Sequence, residues 1–406
     1  MEVKRLEYEL PERLEDFDPF DFIEKATDFI RKNVKAKEKI AVSASGGVDS
    51  TTVLKLLSMQ LNEEAIYPFF IDDGFRRIIR GEEEAEVVKK YLSKYSNFKV
   101  IDAKEKFFST LKGLSNGEIK RKVFRDVYAQ VSNEEISKIK ADWIADGTIA
   151  PDIIETEGRV KTQHNVELPY KFKKLEILAS LYKPHVRKVA KALELPDEIV
   201  YRIPCPGPAQ LIRVVGEVNK EKLEIAKIAT DIVEQKIEDY CKKIWGKEFK
   251  YNEKTGERIP FQMFGVALDN KMKKLSYFKG LNKMLNRTTY LEEGIKRPPE
   301  PLTMPVIWFE TTTKLTPSLF KISKDIWEDV GYPRVLYQVS GELRKDLPYL
   351  AAIRIVGSKD ATRAKPMKVE FEYLQKIGDE IRKKNPLVAA VAYDISTKPP
   401  ATIEFE

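Results

Sequence analysis

The residues best suited to chemistry lie together at one short stretch, which reads Ser45, Gly46, Gly47, Val48, Asp49, Ser50. The apolar residues 40–43 before it indicate a buried strand, and the leucine spacing over 53–61 indicates a helix. Free N–H groups and the dipole at a helix N-terminus favour an anion, and glycines let the backbone approach it closely. The stretch lacks the Gly-Lys-Ser/Thr ending of a Walker A loop. We predict a phosphate-binding loop of another type; the alternative is an ordinary Gly-Ser turn.

The elements that must position this loop alternate between strand and helix. Predicted strands lie at 40–43, 65–71, 98–101 and 142–145, with helical segments between them. Such alternation is typical of an α/β fold with a parallel sheet covered on both faces. Ligands bind such sheets at the carboxyl ends of the strands. We therefore expect the loops at 45–50, 72–77 and 146–148 to converge on one crevice.

The rest of the chain divides at a proline cluster. Residues 155–170 have no hydrophobic periodicity and predict a long loop. The prolines at 204, 206 and 208 exclude helix and central strand. We predict an α/β domain over 1–208 and an α+β domain over 209–406.

The second domain contains a faint internal repeat. Helix and strand patterns near 322–338 are echoed about 55 residues later near 377–393. We predict two related units, about 209–345 and 346–406; chance similarity of two αβ units is the alternative.

Composition excludes several classes of protein. Charged residues make up 33% and hydrophobic residues 42% of the 406 residues, as in soluble globular proteins. The net charge of +7 is spread along the chain, so it does not by itself indicate nucleic acid. No apolar run reaches about 18 residues and no signal-peptide core is present, so we expect a cytoplasmic protein without membrane association. Cys205 and Cys241 form no disulfide framework or zinc-ligand spacing.

Several segments together resemble the ATP-pyrophosphatase and dimerisation portion of GMP synthases. The 45–50 loop is similar to the SGGxDS loop of ATP pyrophosphatases, and further similar segments lie at 147–152, 160–165, 194–201 and, most specifically, 393–406. The resemblance implies an adenine-nucleotide hydrolase-like (PP-loop) domain followed by a dimerisation domain. The expanded region at about 286–345 is more similar to the doubled dimerisation domain of eukaryotic members.

The resemblance also implies roles for individual residues. Residues 45–50 and Gly147 would bind ATP and the leaving pyrophosphate, and Asp49 would help to hold Mg²⁺. Lys161 and Lys183 would act in catalysis by neutralising charge around the ATP phosphates. Residues for XMP would be Arg77, Asp269, Gln338, Lys398 and Glu404, which offer cations for a phosphate and directional groups for a purine.

The activity implied is ATP-dependent amination of XMP to GMP through an adenylyl intermediate, with release of AMP and pyrophosphate. No amidotransferase domain is present in these residues, so ammonia would come from a separate glutaminase subunit or from solution. A homodimer is implied as well. The chain departs from the family pattern at Asp146, Gln163, Cys205, Ala209 and 176–180.

Two other functions stay open at this point, and the first is that of a divergent family member that acts on another nucleotide or on an RNA. Some related ATP pyrophosphatases are tRNA sulphur transferases, so Cys205 could be a reactive thiol, although a small buried filler is the simpler interpretation. A recognisable RNA-binding module is absent from the sequence, and we do not expect nucleic acid as a partner. The second alternative is a non-catalytic, nucleotide-binding regulator. The basic run at 120–122 is interpreted as a solvated helix face.

Overall fold

A computed structural model describes residues 2–157, 172–274, 288–292, 306–310, 333–359 and 361–406. Its α-helices are α1 (Pro19–Asn33), α2 (Val48–Ser58), α3 (Glu84–Leu92), α4 (Lys104–Leu111), α5 (Gly117–Ile139), α6 (Ala150–Glu157), α7 (Lys183–Ala192), α8 (Asp197–Val200), α9 (Lys220–Trp245) and α10 (Phe371–Lys384). Its strands before residue 208 are β1 (Val3–Arg5), β2 (Ile40–Ser43), β3 (Ile66–Asp72), β4 (Ile78–Ile79), β5 (Glu82–Glu83), β6 (Lys99–Asp102), β7 (Trp143–Ala145) and β8 (Lys173–Glu176). The later strands are β9 (Lys250–Tyr251), β10 (Arg258–Asp269), β11 (Met272–Lys274), β12 (Thr288–Glu292), β13 (Val306–Glu310), β14 (Arg334–Gly341), β15 (Tyr349–Ser358), β16 (Lys365–Pro366) and β17 (Val388–Asp394).

The first sheet is parallel throughout and has the order β1-β8-β7-β2-β3-β6. Successive residues of β2 enter different cores: Ile40 and Val42 pack with α1, α2 and α7, whereas Ala41 packs with α4 and α5. Apolar side chains on both faces are what a sheet covered on both sides requires. The predicted α/β domain with a parallel sheet is confirmed.

Two strands of this sheet have no counterpart in the sequence prediction. The edge strand β1 pairs with β8, and β8 carries the charged residues Lys174 and Glu176, both fully buried. Lys174 contacts Glu176 at 2.7 Å and Asp146 at 3.1 Å, and Arg5 of β1 contacts Glu176 at 2.5 Å. These ion pairs compensate the buried charges. A search for apolar residues could not have predicted such a strand.

The second sheet is mixed and follows the order β11-β12-β13-β14-β17-β15-β10-β9, with β16 on β15. Helices α9 and α10 cover one face through a shared core. Asn219 caps α9 by accepting from the backbone N–H of Lys222 at 2.8 Å, and Gly246 ends it with φ 70°. The two sheets fall on either side of residue 208, and the exact domain boundary stays a prediction.

Other expectations meet the described residues only in part. The predicted 155–170 loop is wrong at its start, because α6 continues to Glu157; residues 158–171, including Lys161 and Gln163, lie outside the described residues. In the predicted repeat, the strands β14 and β17 are antiparallel neighbours. The helix predicted for the first copy, near residue 322, lies outside the described residues. Across the described ranges, no helix is long and apolar enough to cross a membrane.

Candidate active site

A cavity of about 330 Å³ opens at the carboxyl ends of β2, β3 and β7. Its lining includes Ser45, Gly47, Val48, Asp49, Ser50, Arg76, Arg77, Glu84, Tyr128, Asp146, Gly147, Asp152, Lys183, Arg202, Cys205, Gln262 and Ala361. The expected convergence of the loops at 45–50, 72–77 and 146–148 is confirmed. The last two lining residues come from the second sheet's part of the chain, so both parts of the molecule form the cavity.

The 45–50 loop presents the open N-terminus of α2 to this cavity. Gly47 is the N-cap residue and provides no capping side chain, so no side-chain acceptor occupies the first turn there. Gly46 has φ +72°, and a Cβ at that residue would lie 2.7 Å from the Val88 side chain. The hydroxyl oxygens of Ser45 and Ser50 are 3.1 Å apart. This geometry suits an anion bound by backbone N–H groups.

Gly147 lets the loop after β7 lie directly against the 45–50 loop. A Cβ at Gly147 would lie 2.8 Å from both the Asp49 Cβ and the Ser50 backbone nitrogen. No side chain larger than hydrogen fits there without moving backbone. Gly147 therefore has a packing role: its lack of a side chain lets the first turn of α2 lie against the loop after β7.

The acidic side of the cavity contains two carboxylates beside one lysine. The ammonium of Lys183, the first residue of α7, contacts Oδ2 of Asp49. The other oxygen of Asp49, Oδ1, is buried and has no hydrogen-bond partner. Asp152 Oδ2 accepts from the backbone N–H of Ile149 at 3.1 Å. Burial, with a smaller contribution from the nearby Asp49 charge, raises the pKa of Asp152 to about 7. A cation bound here would relieve both effects.

Asp146 replaces the glutamine that the family resemblance leads one to expect. Its Oδ1 accepts from the Thr148 hydroxyl at 2.6 Å, and its other oxygen lies 3.1 Å from the buried Lys174 ammonium. The departure is therefore accompanied by a charge partner on β8. Both side chains are buried, and the pair anchors the loop that contains Gly147.

The opposite side of the cavity is basic and ion-paired. Arg77 contacts Glu234 of α9 at 2.6 Å and Glu84 at 3.5 Å. Arg202 contacts Glu84 at 2.6 Å and donates to the Gly46 carbonyl oxygen at 2.7 Å. Although burial opposes the charge of Arg77, its two glutamates raise its pKa above the ordinary value. These contacts join the phosphate loop, the β3 loop and α9 in one network.

Sequence reasoning placed Arg77 correctly in the cavity but missed Arg76 and Arg202. Arg76 lies 2.9 Å from Asp73, and its guanidinium lies 5.5 Å from the Phe70 ring centre. Its place next to Arg77 in the sequence could have indicated that Arg76 also lines the cavity. No local sequence pattern indicates this for Arg202, because the path of the chain after α8 brings it there.

The four other residues predicted for a nucleotide do not line this cavity. Asp269 lies 2.9 Å from Lys222, and Glu404 accepts two hydrogen bonds from Arg213, each 3.1 Å long. Gln338 accepts from the Trp308 indole N–H at 2.9 Å.

Lys398 contacts a residue of the cavity wall. Its ammonium donates to the carbonyl oxygen of Ala361 at 2.6 Å, and Ala361 lines the cavity. The structure thus brings Arg77 and the 45–50 loop together, and places Asp269, Gln338 and Glu404 in separate contacts.

The last residues of the chain are attached to the first domain through α5. Lys120 contacts the Glu406 carboxylate and donates to the Val214 carbonyl oxygen at 2.8 Å. The Glu406 carboxylate also accepts from the Gly216 N–H at 2.8 Å, and Arg121 donates to the Glu406 carbonyl oxygen. Lys120 is fully buried, so the interpretation of this residue as part of a solvated face was wrong.

Cys205 lines the cavity, but its environment does not activate it. Burial raises the pKa of the Cys205 thiol, and the nearby Arg213 only partly offsets this. A nucleophilic cysteine needs a stabilised thiolate. The geometry therefore does not favour thiol chemistry.

Solved structures of two synthetases have a limited likeness to this chain. The NH3-dependent NAD synthetase from Campylobacter jejuni, in complex with the nitrate ion, has a TM-score of 0.36 at 19% identity and covers 45% of this chain and 77% of its own. An NMN synthetase from Francisella tularensis has a TM-score of 0.37 at 16% identity and covers 48% and 79%.

The sequence relatives are much closer. A subunit of the glutamine-hydrolyzing GMP synthase of Saccharolobus solfataricus is 35% identical over 406 residues, covering 96% of this chain and 100% of its own length. The corresponding subunit from Methanocaldococcus jannaschii is 33% identical over 395 residues, with the same coverage. Residues 338–405 match the family of the GMP synthase C terminal domain. The chain belongs to the GMP synthase family, among the enzymes of this archaeal subunit type.

Proposed function

We propose that this protein aminates XMP to GMP at the expense of ATP, releasing AMP and pyrophosphate, with ammonia supplied by a separate glutaminase subunit. The observation that carries the proposal is the cavity that combines the open N-terminus of α2 with Lys183 and Arg77. The chain's 35% identity, over 96% of its length, to a subunit of a glutamine-hydrolyzing GMP synthase supports the same reaction. A homodimer in the cytoplasm is part of the proposal.

The phosphate loop acts through position and charge. The N–H groups of the first turn of α2 would bind the leaving pyrophosphate, and the Ser45 and Ser50 hydroxyls would donate to its oxygens. Lys183 would stabilise the negative charge that develops as the bond between the α and β phosphates breaks. Lys161 is proposed to share this role. No side-chain nucleophile is needed, because the C2 oxygen of XMP attacks the α-phosphate.

Mg²⁺ suits the acidic side of the cavity. The unpartnered Asp49 Oδ1 and the neighbouring Asp152 carboxylate are oxygen ligands of the kind that Mg²⁺ prefers. Among the described residues no group of three or more His, Cys, Asp or Glu residues could hold a metal alone, which suits an ion that takes its remaining ligands from phosphate and water. When bound, Mg²⁺ would neutralise charge on the ATP phosphates.

The XMP site is proposed to use Arg77, Asp269, Gln338, Lys398 and Glu404. Each has a protein partner in the described structure, so nucleotide binding would exchange or extend these contacts. Lys398 is the best supported of the five after Arg77, because its acceptor Ala361 lines the cavity.

The test is an assay of AMP and pyrophosphate release with XMP, IMP or no nucleotide, each with ammonium chloride and MgATP. We expect release that depends on XMP and equals GMP formation. AMP formation with IMP alone, or none with XMP and ammonia, would reject the proposal. Replacing ammonia with glutamine should abolish turnover until a glutaminase subunit is added.

A further inference from the structure

Two arginine side chains are buried near each other without an anionic partner. Arg187 of α7 is 2% exposed, and Arg258 at the start of β10 is 3% exposed. The three guanidinium nitrogens of Arg187 make no well-aligned hydrogen bond, although the Tyr251 hydroxyl interacts with this side chain. Nε of Arg258 has no hydrogen-bond partner. Nη1 of Arg258 donates to the Phe261 carbonyl oxygen at 3.3 Å. Within the described ranges, neither guanidinium has a carboxylate oxygen within 4.0 Å.

The nearest acids are already used by other cations. Glu238 and Glu234 act on Arg258 at longer range, but Glu238 lies 2.6 Å from Arg80 and Glu234 lies 2.6 Å from Arg77. Burial, together with the positive charge of Arg187, lowers the pKa of Arg258 to about 9. Buried charge without a counter-charge is strongly unfavourable. Binding of an anion would offset this cost.

An aromatic ring lies near each guanidinium. The Arg187 guanidinium lies 5.5 Å from the centre of the Tyr251 ring, and that of Arg258 lies 4.4 Å from the Phe249 ring. Burial raises the pKa of the Tyr251 hydroxyl and the Arg187 charge only partly offsets this, so the phenol stays neutral and is no counter-charge. A guanidinium with a ring on its face binds anions through its N–H groups at the edge.

A groove that is open to solvent shares one wall residue, Tyr251, with the surroundings of Arg187. An open groove of about 690 Å³ runs beside the β9–β10 turn, and Tyr251 is part of its wall. Lys247, Lys250 and Lys254 also line the groove, together with Glu253 and Glu257. The groove therefore has a small excess of positive charge, which favours the approach of anions.

We propose that Arg187 and Arg258 form a binding site for a phosphate-class oxyanion that enters from the groove beside Tyr251. Guanidinium groups bind such oxygens bidentately. The site is distinct from the candidate active site, whose lining includes neither arginine. The proposal does not depend on the proposed function.

A ligand at this site would connect two elements of the fold, α7 and β10. Arg187 lies one helical turn after Lys183 in α7, and Arg258 begins β10. The turn between β9 and β10 packs on α7, because a Cβ at Gly256 of that turn would lie 2.5 Å from the ring of Pro184 in α7. A bound oxyanion would hold α7 and β10 together and steady the helix that presents Lys183.

The test measures the melting temperature with increasing sodium phosphate, with sodium chloride adjusted to constant ionic strength. We expect a rise of a few degrees in the wild-type protein that is lost in Arg187→Met and Arg258→Met. Lys183→Met is the matched control: it weakens phosphate binding in the active-site cavity but keeps the rise. An AMP arm distinguishes free phosphate from the phosphate group of a nucleotide.

A second measurement covers the case in which an arginine variant does not fold. Calorimetric titration of phosphate into Lys183→Met should still detect a site, and adding Arg187→Met should weaken it at least about tenfold. An equal rise of melting temperature in wild type and Arg187→Met would overturn the proposal. Absence of phosphate binding to Lys183→Met would also overturn it. A third refuting result is a higher melting temperature for Arg187→Met than for a wild-type protein whose own melting temperature does not change with phosphate.

Discussion

Replacing Gly147 with alanine should reduce both turnover and stability. The new Cβ would lie 2.8 Å from the Ser50 backbone nitrogen and from the Asp49 Cβ, whereas ordinary contact begins at 3.4 Å. The loop after β7 or the first turn of α2 must therefore move by about 0.6 Å. Overpacking of this kind costs about 1–3 kcal/mol in free energy of unfolding. Misplacement of reacting groups by 1 Å costs up to about 100-fold in rate, so we expect kcat/KM to fall about 10- to 100-fold.

The assay is XMP-dependent pyrophosphate release, measured beside urea unfolding. Gly246→Ala is the matched control, since Gly246 ends α9 with φ +70° and a Cβ there meets no atom within 4 Å. That variant should lose about 1 kcal/mol from backbone strain and keep its activity. If Gly147→Ala kept the kcat/KM of Gly246→Ala, close contact between the two loops would not position the reacting groups, and the reasoning would be refuted.

Four further outcomes follow from the same structure. Lys183→Met should lower kcat by about 100-fold or more while the melting temperature changes little, and unaltered turnover would remove Lys183 from the mechanism. Because Asp152 has its pKa raised to about 7, the folded protein keeps a proton that the unfolded chain releases above pH 4. Its contribution to the free energy of unfolding therefore declines as the pH rises from about 4 to 7. Urea unfolding at pH 5 and pH 8 should show a smaller decline for Asp152→Asn than for wild type, and equal declines would contradict the raised pKa. Lys120→Met alone should cost about 3–5 kcal/mol because it leaves the Glu406 carboxylate buried without its cation, whereas Lys120→Met with Glu406→Leu should cost less than the sum of the single changes. Cys205→Ser should keep XMP-dependent turnover within about twofold; loss of turnover with retained folding would show that the thiol takes part in the chemistry.

Local sequence patterns were sufficient for the elements around the phosphate loop. The strands at 40–43 and 142–145 and the helix after residue 50 follow from short apolar runs and helical spacing, which neighbouring residues determine. Convergence of the three loops followed from the rule that parallel strands end at the same edge. The charged strand β8 escaped prediction because Lys174 and Glu176 satisfy each other only after folding.

Burial of individual charges was decided by distant parts of the chain. Lys120 reads as one of three basic residues on a helix surface, yet Glu406 and the Val214 carbonyl oxygen enclose its ammonium. The raised pKa of Asp152 depends on Asp49, about a hundred positions earlier, and on burial that only packing creates.

The sequence by itself determined the phosphate loop, the parallel sheet that holds it and the family of the chain, because these depend on residue type and spacing over short stretches. Only the tertiary structure decided which charges meet: Lys183 with Asp49, Arg77 with Glu234, and Arg187 with Arg258. The physical reason is that electrostatic energy depends on distance and on exposure to water, and folding sets both.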